Sequence, residues 1–478
     1  MPRDANLPQI DPQDKHVFQI AELLEKAVDA RVGPDATFEE RQRVRVAVMA
    51  DAMWLAEDGE LQRLRTDVER VEVDGKIYRR LSQPSSATYH GLWGTHVVAE
   101  PLYRDVAIHG GPTIKPIELR VGVVRHMLPD FARVVGRYLA FMTSRQVEAA
   151  LREMGLRPPG RAFIEKRAGE MACDLNDTIE EIEAAAPPAL LDAAVVAAVS
   201  CGLDRMAVRM HEPIEGEAPK GRPQRKRPYE RTQPPPAELN WRMAFVGTVT
   251  IYDDKGEALQ TLRYAANADA DRDAFAERVV ADVSRLVERF PGISVGCIQD
   301  GAKDLAILPE TLGKRLPANT PRYTSVDLLH LLGYLHRVVE TCEPAGDPRN
   351  MKRWYHDELL RDDEAIDRIF VNLRRQAEKV PRSNPEGRSA LAKALRYIKN
   401  RRHEMRYARL RAANLPVGSG ATESTCKLMQ LRLKHPGMSW ETDGLRGIST
   451  LRTLVLSDRW PSAWEGFAGR HRREVLAA

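Results

Sequence analysis

Apolar residues recur at helical spacing near the start of the chain. From Lys15 to Ala30 the residues Val17, Ile20, Leu23, Leu24 and Val28 fall on one stripe, and a second helical pattern runs from Thr37 to Glu57. Between Val71 and Arg80 the run VEVDGKIYRR alternates apolar and polar positions around Asp74-Gly75, which predicts a hairpin and a small β element. Helical spacing returns from about Val123. From Thr143 to Met171 the pattern reads as helix, short turn, helix. Thr143 and Gln146 make a capping box, Val147, Leu151 and Met154 share a face, Gly155 stops the first helix, and Gly160 opens a second that carries Arg161, Lys166 and Arg167. This is a candidate helix-turn-helix for DNA, with plain packing of two helices as the alternative.

After Pro187-Pro188 the texture changes to that of strands. Ala193 to Ala198 leads through Cys201-Gly202-Leu203 to Asp204, and Met206 to Met210 continues extended, so a buried strand is expected to end near a carboxylate. Residues 212–240 form a Pro-rich interruption whose cations include Arg225, Lys226 and Arg227, read as a flexible basic arm that either meets phosphate or is simply solvated. Strand patterns resume at Met243 to Tyr252 and Ala258 to Tyr264, joined by Asp254-Lys255-Gly256, before an amphipathic helix from Arg272 to Phe290. A further buried strand, Ile293 to Ile298, delivers Asp300 at its end. Strand, strand, strand, helix, strand predicts an α/β sheet of mixed direction. From Leu328 to Arg411 the pattern is helical and grows basic, with Lys393, Arg396, Lys399, Arg401, Arg402, Arg406, Arg409 and Arg411 suited to water or phosphate. The loop Leu415 to Gly420 then opens what reads as a last helix, Ala421 to His435, stopped by Pro436-Gly437.

A chain of 478 residues exceeds one ordinary core, so roughly two to four domains of about 100 to 200 residues are expected. Its 43% hydrophobic content excludes global disorder. The best apolar run, Ala184 to Val199, is broken by Pro187, Pro188 and Asp192, and the opening MPRDANLPQIDPQDK lacks the apolar centre of a secretory signal. These features predict a protein with no membrane span, cytoplasmic and, if it binds DNA, associated with the nucleoid. Cys173, Cys201, Cys297, Cys342 and Cys426 are scattered and never in CxxC spacing, which argues against a disulfide framework and a zinc ribbon. The net charge of +4 is mild, so any phosphate partner must be met by local patches.

Three carboxylates sit where elements are expected to begin or end rather than on a solvated face: Asp204, Asp300 and, in the first turn of a helix, Glu423. Carboxylates gathered together repel unless a cation lies between them, and hard oxygen ligands favour Mg²⁺ or Mn²⁺. Two such ions about 3.5 to 4 Å apart clamp the attacking and leaving oxygens of a phosphodiester. Each acid also has a bland reading: Asp204 and Asp300 as turn residues, and Glu423 as a helix-dipole acid paired with Lys427. Gly418-Ser419-Gly420 fits neither a dinucleotide loop nor a GxSxG elbow, and no GxxxxGK[ST] loop occurs, so nucleotide-driven chemistry is not expected.

The segments LDRMAVRM, RMAFVGTVTIYD, QDGA, DLLH, and LPVGSGATES with LRLKHPGMSW resemble the DDE transposases of bacterial insertion sequences, closest to the Kra/Lre type and distantly similar to Mutator-like transposases. The resemblance spans roughly 195–456. It implies an α/β ribonuclease-H-like catalytic core with a helical insertion, preceded by a mainly α N-terminal region with a helix-turn-helix. It implies these limits: 1–130 mainly helical with a small β element, 131–190 the helix-turn-helix region, 191–335 and 413–460 the two parts of the core, 336–412 the insertion, and 461–478 a tail. By resemblance, Asp204, Asp300 and Glu423 are the catalytic acids holding two Mg²⁺ or Mn²⁺ ions. Asp327 and His330 match a DxxH-like motif whose His assists at the site, with an N-cap and a packed helix residue as the alternative. Arg432, Lys434 and Trp440 match a DNA-contacting C-terminal block, with Trp440 also readable as core. Related enzymes often carry a Cys-rich ribbon where YHGLWGTHVVAEPLYRDV stands here, and often Gly where Arg205 follows Asp204. The partners implied are double-stranded DNA, both element ends and target, and a second copy of the chain. A catalytically silent DNA-binding descendant and a nuclease that only hydrolyses are the alternative functions.

Overall fold

Thr37 closes a capping box with Glu40, and from it α2 (Phe38–Leu64) packs on α1 (Lys15–Asp29), with Glu25 held between Arg41 at 3.1 Å and Arg45 at 2.5 Å. Only Val28 of the α1 stripe is buried; Ile20 and Leu23 stay exposed. The computed structural model describes residues 15–185, 196–214, 237–267, 269–302, 305–342 and 347–478. They fall into two units, 1–171 with 465–478 and 172–464.

In the first unit the Asp74-Gly75 turn forms with both residues at positive φ, the conformation a tight hairpin needs. Its strands β1 (Arg70–Val73) and β2 (Lys76–His90) continue into β3 (Thr95–Asp105) and β4 (Thr113–Ile114). With the terminal strand Leu476–Ala477 paired to β1, they make one antiparallel sheet of five strands. The expected small β element is therefore corrected to a full sheet. The expected C-terminal tail is corrected to a helix followed by a sheet strand. Tyr89, Val98, Ile117 and Leu128 pack with Leu61 of α2 beneath it. Next come α3 (Pro116–Val121), α4 (Pro129–Leu139), α5 (Ser144–Glu153) and α6 (Arg161–Asp177). The Thr143–Gln146 capping box forms and Gly155 takes a left-handed φ, but Met154 is exposed rather than sharing the buried face of Val147 and Leu151.

The second unit begins inside α6 and with α7 (Ile179–Ala185). Its sheet is built from β5 (Val196–Pro213), β6 (Ala237–Asp253) and β7 (Ala258–Ala266), then β8 (Ser294–Gln299) and β9 (Arg322–Val326). Helix α8 (Arg272–Arg289) joins β7 to β8, and α9 (Ile307–Arg315) joins β8 to β9. The order is β7-β6-β5-β8-β9, with the first three antiparallel and β8 and β9 parallel to β5. Parallel neighbours require crossovers, which α8 and α9 supply. Val199, Cys201 and Leu203 of β5 pack with Val249, Val295 and Cys297 against Phe275, Val279 and Val283 of α8.

A helical set follows: α10 (Leu328–Cys342), α11 (Pro348–Arg361), α12 (Ala365–Lys379), α13 (Pro385–Arg401) and α14 (Tyr407–Ala412). Its core joins Leu331, Leu335, Ile366, Ile369, Leu391 and Ile398. The chain returns to the sheet in α15 (Gly420–Leu433), then forms α16 (Thr442–Leu456) and α17 (Trp460–His471). The helix expected to be the last is thus followed by two more. A buried ionic group ties α7, α8 and the start of α17: Glu183 receives two bonds of 2.7 Å from Arg278, and Asp282 receives Arg459 at 2.6 Å. No helix among the described residues is long and apolar enough to cross a membrane.

Candidate active site

β5 and β8 pair in parallel from Ala198↔Ser294 to Cys201↔Cys297, where β8 nears its end. Asp204 lies three residues beyond Cys201, the last residue of β5 paired with β8, and Asp300 three beyond its partner Cys297. Asp300 follows the last residue of β8, as the sequence implies. Asp204 does not end a strand: β5 runs on to Pro213 paired with β6, because Met206, Val208 and Met210 bury one face of the continuation.

Glu423 arrives from above this pair. It lies in the first turn of α15, which approaches β5 so closely that a Cβ on Gly202 would stand 2.6 Å from Thr422 Oγ1 and 2.7 Å from Ile298 O. The buried hydroxyls of Thr422 and Thr248 bond at 2.7 Å and fix the helix over β6. The result is a cavity of about 310 Å³ lined by Leu203, Asp204, Asp300, His330, Ser419, Thr422 and Glu423.

The hydrogen bonds around it orient carboxylates without exhausting them. The Arg205 N–H donates to Asp204 Oδ1 at 2.7 Å, and the Cys426 thiol lies 3.3 Å from Oδ2. Asp300 Oδ1 accepts from the Ala302 N–H at 2.7 Å, and Glu423 Oε1 lies 3.3 Å from Ser419 Oγ. Burial and the Asp204 charge push the Cys426 thiol well up, so it remains an S–H. The Tyr397 hydroxyl, also pushed up by burial, donates to the Asp300 carbonyl at 3.2 Å.

Asp327 joins the elements that carry these groups. Its N–H bonds Gln299 O at 2.7 Å beside Asp300, its Oδ1 caps α10 by accepting from the His330 N–H at 2.9 Å, and its Oδ2 accepts from Ser419 N–H and Oγ–H at 2.5 and 2.7 Å. Asp327, His330 and Glu423 each offer a donor atom within 4.8 Å of the others, a spacing compatible with an ion. The fully buried Asp327 carboxylate accepts three hydrogen bonds, one at Oδ1 and two at Oδ2, which fix its orientation. The donors left facing the cavity are those of Asp204, Asp300, Glu423 and His330. Asp204 and Asp300 fall outside that 4.8 Å group and share only the cavity lining with Glu423 and His330; carboxylate oxygens of this kind suit a hard divalent cation such as Mg²⁺ or Mn²⁺. A larger cavity of about 800 Å³ lies against α10, α11 and α12, but Asp347 is the one acid among the described residues of its lining and it caps α11.

The residues proposed for DNA are placed differently from one another. Arg161 and Lys166 are exposed on α6, Arg161 lying 3.7 Å from Glu165, while Arg167 bonds Glu170 at 2.9 Å. Arg401 and Arg402 do not form an open cationic face: Arg401 pairs with Glu404 and Arg402 with Asp367, each at 3.0 Å. Arg432 is corrected outright. It is 3% exposed, stacked 5.3 Å from the Trp440 ring centre, and burial pulls its guanidinium down to about 10. Trp440 is a packing residue as well, its indole N–H donating to Leu433 O at 2.9 Å. Lys427 and Lys434 are exposed. Arg225, Lys226 and Arg227 lie outside the described residues.

Sequence reasoning left Asp327 open between a cap and a motif residue, and it missed Cys426 and Thr422. The cap was legible as Asp followed three residues later by His330 in a helical run; the other two give no local signal. The chain matches no protein-family model and no curated protein sequence.

Proposed function

We propose that the chain is a DNA transposase of the DDE type, which cuts and rejoins DNA strands at the cavity bounded by Asp204, Asp300 and Glu423. The observation that carries the reading is that these three acids, remote in sequence, line one cavity just beyond the point where β5 and β8 stop pairing in parallel. The mixed sheet order, with a helical set between β9 and α15, supports the ribonuclease-H-like core that the sequence resemblance implies.

Asp204 and Asp300 would hold a cation pair from the sheet and Glu423 from α15. Two bound Mg²⁺ ions supply Lewis acidity at the attacking and leaving oxygens of a phosphodiester. The chain's own part is positioning. Asp327 and Ser419 set the height of Glu423, the Arg205 and Ala302 N–H groups aim the two aspartates, and His330 at the rim is placed to bond a phosphate oxygen. Water attack on a phosphodiester of one strand leaves a 3′-OH and a 5′-phosphate, and attack by that 3′-OH on a phosphodiester of a second strand forms the new bond while breaking the old one and releasing that strand's 3′-hydroxyl. Handling two ends together calls for at least two copies of the chain on DNA.

The test is incubation of the purified chain with Mg²⁺ or Mn²⁺ on labelled DNA carrying the sequences that flank its gene, beside Asp300→Asn. Metal-dependent nicks with 3′-OH ends and strand-joined products, both lost in the variant, are expected. Binding without cleavage refutes the enzyme, and cleavage without joining reduces it to a nuclease.

A further inference from the structure

The outer part of the β5–β6 pair leaves the rest of its sheet. Pairing of β5 with β8 ends at Cys201↔Cys297 and that of β6 with β7 at Phe245↔Ala266, yet β5 and β6 stay paired out to Pro213↔Ala237. Alternation sorts the side chains of this two-stranded ribbon by face. One face carries the buried Met206, Val208, Met210 and Ala244, then Glu212 bonded to Asn240 and Arg242. The other carries Arg205, Arg209 and His211, directly opposite Phe245, Trp241 and Leu239.

This second face is open. Trp241 is 63% exposed, with Leu239 and Met243 also exposed on either side of it. The Lys434 ammonium lies 5.8 Å from the Trp241 ring centre. The ribbon's acids, Glu212 and Glu238, belong by register to the opposite face. The backbone edge of β5 is not on offer, because Trp440 donates its N–H to Arg209 O at 3.0 Å and accepts from the His211 N–H at 2.7 Å. Recognition here must therefore use side chains.

We propose that this face binds an unpaired nucleic-acid strand, Trp241 stacking on a base while Arg209 and Lys434 meet the flanking phosphates. An exposed indole near Arg209 and Lys434, with the ribbon's described acids Glu212 and Glu238 on the opposite face, complements a strand whose bases are splayed and whose backbone is anionic. A duplex hides the base faces that the ring would meet. The inference rests on the reading of the chain as a DNA-processing enzyme. It gives the ribbon a holding role rather than a cutting one, since Arg205 and Asp204 are consecutive and point to opposite faces of β5.

The experiment is fluorescence anisotropy of the full-length chain, in EDTA, with a labelled thymidine oligomer of roughly twelve nucleotides and with a duplex of equal length. Trp241→Ala weakens single-strand binding about tenfold and Trp241→Phe retains most of it, because stacking needs only a ring. Arg209→Ala lowers the slope of log affinity against log salt by about 0.7, and duplex binding changes little in all three variants. Unchanged single-strand affinity in both Trp241→Ala and Arg209→Ala overturns the inference, as does an equal loss on duplex. A Trp241→Ala chain that binds normally but scatters light at a different mass also overturns it and assigns the face to self-association. Cleavage with metal restored is scored separately. A wild-type chain that binds through Trp241 yet never cleaves refutes the enzyme and leaves the ribbon standing. Cleavage with unaltered binding by the variants refutes only the ribbon.

Discussion

Cys426 holds its thiol against the carboxylate of Asp204, where burial and then the charges of Asp204 and Glu423 keep the proton on sulfur. A thiol so protonated is a poor nucleophile. Iodoacetamide at about pH 8 should leave Cys426 unmodified in the folded chain and label it after denaturation, read by peptide mass spectrometry; equal labelling in both states contradicts the geometry. Asp327 works by the opposite logic, a fully buried carboxylate whose charge is met by three hydrogen-bond donors. Asp327→Asn keeps the shape but puts an amide N–H where an acceptor is needed, so Ser419 and with it Glu423 should shift. A large fall in turnover with a higher metal requirement is the expected signature, whereas wild-type metal dependence would remove Asp327 from the site's support.

At the scale of elements, the decisive contact is α15 on β5. Gly202 leaves no room for a methyl group between Thr422 and the Ile298 carbonyl. Gly202→Ala should cost about 1–3 kcal/mol in urea denaturation and displace Glu423 from the two aspartates; unchanged stability and activity would show that α15 tolerates a looser seat. The sequence made α15, β8 and the hairpin at Asp74-Gly75 legible, because each has a turn or cap residue beside a clear period. It did not disclose the length of β2, whose middle holds Ser82, Gln83, Pro84, Ser85 and Ser86 in place of β-branched apolar residues; Pro84 is accommodated at a shift in register with β3. The site was legible as residue types at element ends, and the extended pattern of Met206 to Met210 was legible too, but that it continues one strand through Asp204 is set by the pairing with β6. Arg432 was read as a surface cation because only the fold brings Trp440 over it.

For the molecule as a whole, charge works differently in the two units. In the first, His96 is fully buried between Glu57 at 2.8 Å and Asp58 at 3.1 Å. Burial opposes its protonation, but the two carboxylates outweigh it and hold the imidazole above its ordinary value. A raised folded value means stabilisation fully present below the unfolded value and lost as pH rises through the folded one. The first unit should therefore melt at a lower temperature as pH rises above the ordinary imidazole value of about 6.5, and His96→Gln should flatten that slope in calorimetry. In the second unit, Asp204, Asp300 and Glu423 line one cavity, and none of the described residues lining it is a Lys or Arg. The central claim is that these three act as one cation centre. Titration of the chain with Mn²⁺, followed by the paramagnetic signal of the free ion, tests it most directly. The account predicts saturable binding in the wild type that Asp204→Asn, Asp300→Asn and Glu423→Gln each weaken in a still-folded chain. Binding of Mn²⁺ by all three variants as tightly as by the wild type would contradict it.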